Sequence, residues 1–288
     1  MNLTRAQDYQ NDVLDLYRQG LPKGESTGWV SVDKHYTVLP GMLTVVTGWP
    51  GSGKSEWVDA LTMNLAERGW RFLMASFENQ PTRFHLAKLL EKHVRLPFGN
   101  GPTQRMTEDQ IADGMEWVNK HYAFLDYETA ISVFDVQEAA MHWQIEGGGK
   151  CGLIIDPWNE LEHARPSNQT ETEYISDTLR KLRRFARATE MHVWIVAHPQ
   201  KLQRDQSGKL PIPRPDSISG SQHWWNKADY AVTVHRDQME GSQEVEIHVQ
   251  KVRWKHTGQV GFVTLKYDRV TGRYNDSVIA IDQYRRAV

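Results

Sequence analysis

Between an apolar run, Leu43–Thr47, and an amphipathic stretch that begins at residue 54 lies the octapeptide Gly48-Trp49-Pro50-Gly51-Ser52-Gly53-Lys54-Ser55. It fits G-x-x-x-x-G-K-[ST], the phosphate-binding loop, in the setting the motif requires: a strand before it and a helix after it. The glycines Gly48, Gly51 and Gly53, with Pro50 and Ser52 between them, let backbone N–H groups curl around phosphate oxygens. The start of the following helix adds its positive dipole end. Lys54 neutralises the β and γ oxygens and Ser55 offers a hydroxyl to Mg²⁺. A loop of this kind calls for an α/β fold and a nucleoside triphosphate.

The rest of the chain keeps to that demand. Apolar runs at Leu43–Thr47, 71–77, 152–155, 192–197, Tyr230–His235, 245–252 and 260–267 read as strands. Helical periodicity marks residues near 54–68, 81–95, 107–120, 134–146 and 173–189. Strands separated by helices imply βαβ units and a mostly parallel sheet flanked by helices. The last two strands have no helix between them and predict an antiparallel C-terminal extension. With 288 residues, 39% of them apolar, the chain has enough material for one large domain. That domain is expected over residues 29–288, behind a linker helix and linker over 1–28. Tyr9, Val13, Leu16 and Tyr17 share one face of the linker helix, which either docks on its own domain or passes to a neighbour.

Charge and cysteine narrow the classes. A formal net charge of −2 gives no global basic field, so any contact with nucleic acid has to be local. The single cysteine, Cys151, excludes an internal disulfide and a cysteine-rich zinc site. The first twenty residues are polar and carry no apolar h-region, and no apolar run approaches the ~18–20 residues of a membrane span. The expectation is a soluble, cytoplasmic protein with no membrane partner.

A phosphate loop needs a second acidic group for Mg²⁺. Asp156 ends the apolar run Gly152-Leu153-Ile154-Ile155, which at the carboxyl end of a central strand faces the phosphates. Hydrolysis also needs a group that activates water, and Pro157 occupies the place directly after Asp156. Glu78, at the end of the 71–77 strand, is the candidate, with that strand expected beside the first one. Glu160 and Glu162 are its rivals, but they lie beyond the strand end.

Asp156-Pro157-Trp158-Asn159-Glu160-Leu161-Glu162-His163-Ala164-Arg165-Pro166 and Val196-Ala197-His198-Pro199-Gln200-Lys201, taken with the motifs above, resemble the Twinkle-like primase–helicases. These belong to the DnaB and phage hexameric helicase superfamily. The resemblance covers nearly the whole chain. It implies a RecA-like core assembled into a ring, a hexamer, with ATP at each subunit interface and single-stranded DNA in the central channel. It also implies a bacterial or phage-infected cell and a primase domain or protein among the partners. The family's γ-phosphate sensor matches His198. Its basic pair from the adjacent subunit matches Lys251 and Arg253, with Arg253 as the finger. Alternation puts both side chains on one face of a strand, which is costly unless that face meets water or an anion. The base-holding Arg and Tyr of the phage relatives fall on Arg236 and Tyr267, although core packing explains Tyr267 almost as well. Asn226 falls where relatives carry a phosphate-sensing Gln.

The long segment 200–221 carries Lys201, Arg204, Lys209 and Arg214. The resemblance makes it a channel loop that binds DNA phosphates, against the plain reading of a solvated loop. Ser219, Gly220 and Ser221 align with a second DNA-contacting motif, and Ser219 stands where an Arg is usual. Trp224 and Trp225 either stack on bases or, more in keeping with eleven tryptophans, pack at a subunit contact. The expected activity is a helicase that hydrolyses ATP. Its rivals are a RecA- or KaiC-like ATPase without unwinding, and a nucleotide-gated scaffold that barely turns over.

Overall fold

A computed structural model describes residues 3–126, 131–163, 165–200, 211–218, 222–236 and 242–277. Among them, nine strands form one sheet in the order β3-β2-β4-β5-β1-β6-β7-β8-β9. The parallel part holds β1 (Leu43–Thr47), β2 (Arg71–Ser76), β3 (Tyr122–Phe124), β4 (Cys151–Asp156), β5 (His192–Val196) and β6 (Tyr230–His235). The strands β7 (Glu244–Val252), β8 (Gly261–Tyr267) and β9 (Tyr274–Asp276) continue it antiparallel. The expected mostly parallel sheet with an antiparallel C-terminal extension is therefore present, and it gains two three-residue strands, β3 and β9.

Helices cover both faces. They are α1 (Gln10–Gln19), α2 (Val30–Asp33), α3 (Lys54–Ala66), α4 (Thr82–Val94), α5 (Glu108–His121), α6 (Val133–Gly147), α7 (Glu171–Thr189) and α8 (His223–Lys227). Strand alternation divides the apolar side chains between two cores. Val46, Phe72, Met74, Ile154 and Trp194 point to the side of α3, α4 and α5. Leu43, Val45, Leu73, Leu153, Ile155, Val193 and Ile195 point to the side of α6 and α7. Helix α7 meets that second core with Ile175, Leu179, Leu182 and Ala186, one stripe at helical spacing. Capping boxes start three helices: Thr107 with Gln110 at α5, Ser132 with Asp135 at α6, and Thr170 with Glu173 at α7. No residue of α1 is buried, so the linker helix does not dock on its own domain. Among the described residues no helix is long and apolar enough to cross a membrane.

The structure corrects two expectations. Strand β2 does not lie beside β1: β4 and β5 stand between them, and β2 pairs with β4 from Arg71↔Cys151 to Ser76↔Asp156. Order within a parallel sheet depends on where each crossover lands, which the strand sequence does not encode. Trp224 is no subunit contact. It is fully buried in its own chain, edge-on to Trp158 with ring centroids 5.2 Å apart.

Candidate nucleotide site

The carboxyl ends of β1, β4 and β5 open at one edge of the sheet, where ligands of open parallel sheets bind. The phosphate loop leaves β1 there. At Gly48 (φ 152) a Cβ would run into the Val234 carbonyl oxygen, and Gly53 enters α3 in the left-handed conformation (φ 91), so the loop needs glycine at both places. Lys54, at the first turn of α3, is buried and donates to the carbonyls of Gly48 (3.0 Å) and Trp49 (3.2 Å). Burial pulls its pKa down, while the charges of Asp156 and Glu78 hold it up.

Asp156 ends β4 and is 2% exposed. Burial pushes its carboxyl up to about 6, against the Ser55 hydroxyl, whose hydrogen bond favours the carboxylate. Its Oδ1 has no hydrogen-bond partner among the described residues, and neither does the buried Ser52 hydroxyl of the loop. A hydroxyl and an unsatisfied buried carboxylate oxygen are the hard oxygen donors that Mg²⁺ takes alongside phosphate. Ser55 and Asp156 therefore fit the metal.

Glu78 reaches the site although β2 is three strands from β1. The β2–β4 ladder continues past its last pair, with the Phe77 N–H donating to the Asp156 carbonyl at 2.8 Å. Beyond it, Asn79 donates to the Ser76 hydroxyl (2.9 Å), Gln80 donates to the Ser76 carbonyl (2.9 Å), and Lys88 of α4 donates to Asn79 (3.0 Å). So held, Glu78 Oε1 lies 3.2 Å from Nε2 of His198, which follows β5. Burial and the Lys54 charge hold the His198 pKa below its ordinary value, and Glu78 opposes them.

Lys54, Ser55, Glu78 and His198 share a cleft of about 410 Å³, lined by residues 50–56, Glu78, His198, Arg236, Val245, Tyr267 and Tyr274; Asp156 lies beneath it, hydrogen-bonded to Ser55. The structure thus brings together the loop residues with Lys54 and Ser55, Glu78, His198, Arg236 and Tyr267. Tyr274 joins them without any motif to announce it. It enters on β9, its hydroxyl donates to the Gly53 carbonyl at 3.4 Å, and its ring lies 5.0 Å from that of Tyr267. Three residues carry no readable period, so the sequence offers no signal for this strand.

Other residues expected at the site lie elsewhere. Asn226 is on α8, outside the cleft lining, where its carbonyl accepts from Lys251 at 3.5 Å. Lys251 also donates to the Trp225 carbonyl, and burial first, then the Arg253 charge, pulls its pKa down to about 8. Arg253 follows β7 and pairs with the buried Asp229 of its own chain, Nε to Oδ1 at 2.6 Å. Neither basic residue lines the cleft of its own protomer. Lys201, Arg204, Lys209, Ser219, Gly220 and Ser221 lie outside the described residues. Within the 200–221 segment, Pro211 is tied to the phosphate loop by the Trp49 indole, which donates to its carbonyl at 2.9 Å.

The chain has clear relatives among known proteins. The model of the DnaB-like helicase C terminal domain matches residues 24–276. The Twinkle homolog protein, chloroplastic/mitochondrial, of Arabidopsis thaliana is 43% identical over 281 residues, covering 93% of this chain and 39% of the relative. The chain thus spans about two fifths of that relative's length. Among solved structures, the ATPase domain of G40P has a TM-score of 0.80 at 17% identity, over 96% of this chain and 100% of that one. A DnaB-like replicative helicase, described with its interactions with primase, has a TM-score of 0.76 at 18% identity, over 94% and 68%. The RadB recombinase shares the fold more loosely, with a TM-score of 0.57 at 14% identity over 88% and 99%.

Proposed function

Because the chain belongs to the DnaB-like helicase C-terminal domain family, we propose that it is the motor of a ring-shaped replicative DNA helicase. It hydrolyses ATP or a dNTP at subunit interfaces and moves along single-stranded DNA. The observation that carries this reading is the convergence of Lys54, Ser55, Asp156, Glu78 and His198 at the carboxyl edge of the sheet.

The chemistry follows from those residues. The loop amides and Lys54 bind the β and γ phosphates. Ser55 and Asp156 hold a divalent cation, which neutralises charge on the phosphate oxygens when bound. Glu78 orients a water and takes its proton as the water oxygen bonds to the γ phosphorus. The bond to the β–γ bridging oxygen breaks, and nucleoside diphosphate and inorganic phosphate leave. His198 senses the γ-phosphate, and its contact with Glu78 ties sensing to activation of the water. Arg236, Tyr267 and Tyr274 line the same cleft and suit a stacked base, a contact that tolerates any nucleobase. Arg253 and Lys251 reach the nucleotide of the adjacent subunit, where an arginine stabilises transition-state charge.

DNA binds through Lys201, Arg204, Lys209 and the Ser219-Gly220-Ser221 backbone, and the Trp49–Pro211 hydrogen bond gives loop movement a route to the phosphate loop. The working assembly is a hexamer of these domains, with a primase as partner. Strand displacement on a forked duplex tests the proposal: ATP-dependent unwinding that disappears in Lys54→Ala supports the helicase. Hydrolysis without unwinding by assembled rings favours a RecA-like ATPase instead.

A further inference from the structure

Asp229, the residue before β6, is a fully buried carboxylate surrounded by cations. Arg253 Nε lies 2.6 Å from its Oδ1, Arg183 Nη2 of α7 lies 2.9 Å away, and Arg187 Nη2 lies 4.0 Å away. Its other oxygen accepts from the Leu43 N–H at 3.2 Å. Its backbone is fixed on both sides, donating to the Leu43 carbonyl (2.8 Å) and accepting from the Arg253 N–H (3.0 Å). Lys251 is the fourth cation of the group, close enough to feel the charges of Arg253, Asp229 and Arg183.

This arrangement has more cation than the carboxylate needs. A buried carboxylate with one partner cannot release it, because a stranded buried charge costs several kcal/mol. Here a second guanidinium, that of Arg183 with its side chain 19% exposed, lies 2.9 Å from the same Asp229 oxygen. Arg253 is more open, at 29%, and follows the end of a strand rather than standing within a helix.

We propose that Asp229 is the positioning residue of the Arg253 finger, and that Arg183 is the substitute counter-ion that lets Arg253 leave Asp229 for the neighbour's nucleotide. Before the neighbour's triphosphate arrives, Asp229 holds the guanidinium in place, so little conformational freedom is lost on engagement. When Arg253 moves to the phosphate, Arg183 keeps Asp229 neutralised. This rests on the proposed trans role of Arg253.

The test is steady-state ATP hydrolysis by assembled rings of wild type, Arg253→Ala, Asp229→Asn, Arg183→Ala and the Asp229→Asn/Arg183→Ala double variant. Thermal unfolding and light scattering record folding and ring size. Asp229→Asn removes the charge and keeps an oxygen that can accept from the Leu43 N–H. Both single variants, Asp229→Asn and Arg183→Ala, are expected to lower kcat about tenfold with KM within about twofold, since displacing a reacting group is costly. The double variant is expected to match Asp229→Asn alone, because Arg183 acts through Asp229. Unchanged kcat in those single variants, or losses that multiply in the double, overturns the inference. If Asp229→Asn does not fold, the kcat of Arg183→Ala decides alone. If Arg253→Ala itself keeps full kcat, the trans finger is wrong and the inference falls with it. A loss in Arg253→Ala without loss in the other two overturns the positioning role and leaves the finger standing.

Discussion

At the residue scale, the proposed reaction depends on a few polar groups placed at strand ends. Glu78→Gln keeps the shape and the contact with His198 but removes the proposed base. Its expected effect is nucleotide binding within about threefold of wild type and turnover lower by ~10²–10³, measured by nucleotide titration and phosphate release. A second residue reports on stability. His192 is fully buried, its Nδ1–H donating to the Leu39 carbonyl (2.7 Å) and its Nε2 facing the Thr44 hydroxyl (2.7 Å). Burial lowers its pKa from 6.5 to about 3. The unfolded chain therefore takes a proton that the folded one refuses. This contribution to stability is fully present above about pH 6.5 and is lost as pH falls toward 3, by about 1.4 kcal/mol per unit. Thermal unfolding from pH 7 down to 5 is expected to lose stability more steeply in the wild type than in His192→Gln. An equal slope in both would mean that His192 does not carry the pH dependence.

The candidate residues that meet in the cleft are legible in the sequence because their signals are local: eight contiguous residues, or one polar group closing an apolar run. Asp229 is not, since its partners Arg183, Arg187 and Arg253 come from a helix and a distant strand end. The anion that the Lys251–Arg253 pair calls for is partly this one, supplied by the same chain.

At the scale of elements, strand and helix positions follow from period and composition, because buried parallel strands are continuous apolar runs. The sheet order does not follow. Nothing in residues 71–77 says that β2 lands outside β4 rather than against β1, and β3 and β9 are too short to show a period. Helix α7 is bound to the sheet by its apolar stripe, so Leu182→Ala, at a position with no exposure, is expected to cost about 2–5 kcal/mol. Denaturant unfolding checks this; a loss under about 1 kcal/mol would mean that α7 is held by something other than that core. The same helix carries Arg183, so its packing also fixes one counter-ion of Asp229.

At the scale of the whole molecule, a chain of net charge −2 has no global field for DNA, so the proposed DNA binding rests on local groups. Replacing Lys201, Arg204 and Lys209 together by Ala is expected to weaken single-strand binding. It should also flatten the dependence of log K on log salt by about 2, at roughly 0.7 per phosphate contact. An unchanged slope in fluorescence anisotropy titrations would take the DNA contacts away from this loop. The exposed α1, which buries nothing on its own domain, leaves its apolar side chains free to meet a neighbouring subunit in the proposed ring.

Nucleotide hydrolysis in this cleft is held to be coupled to DNA, and steady-state ATP hydrolysis with and without single-stranded DNA, for wild type and Glu78→Gln, tests that coupling most directly. The expected result is hydrolysis that rises severalfold with DNA in the wild type and falls by ~10²–10³, with and without DNA, in the variant. Glu78-dependent hydrolysis by assembled rings that is indifferent to DNA would contradict it.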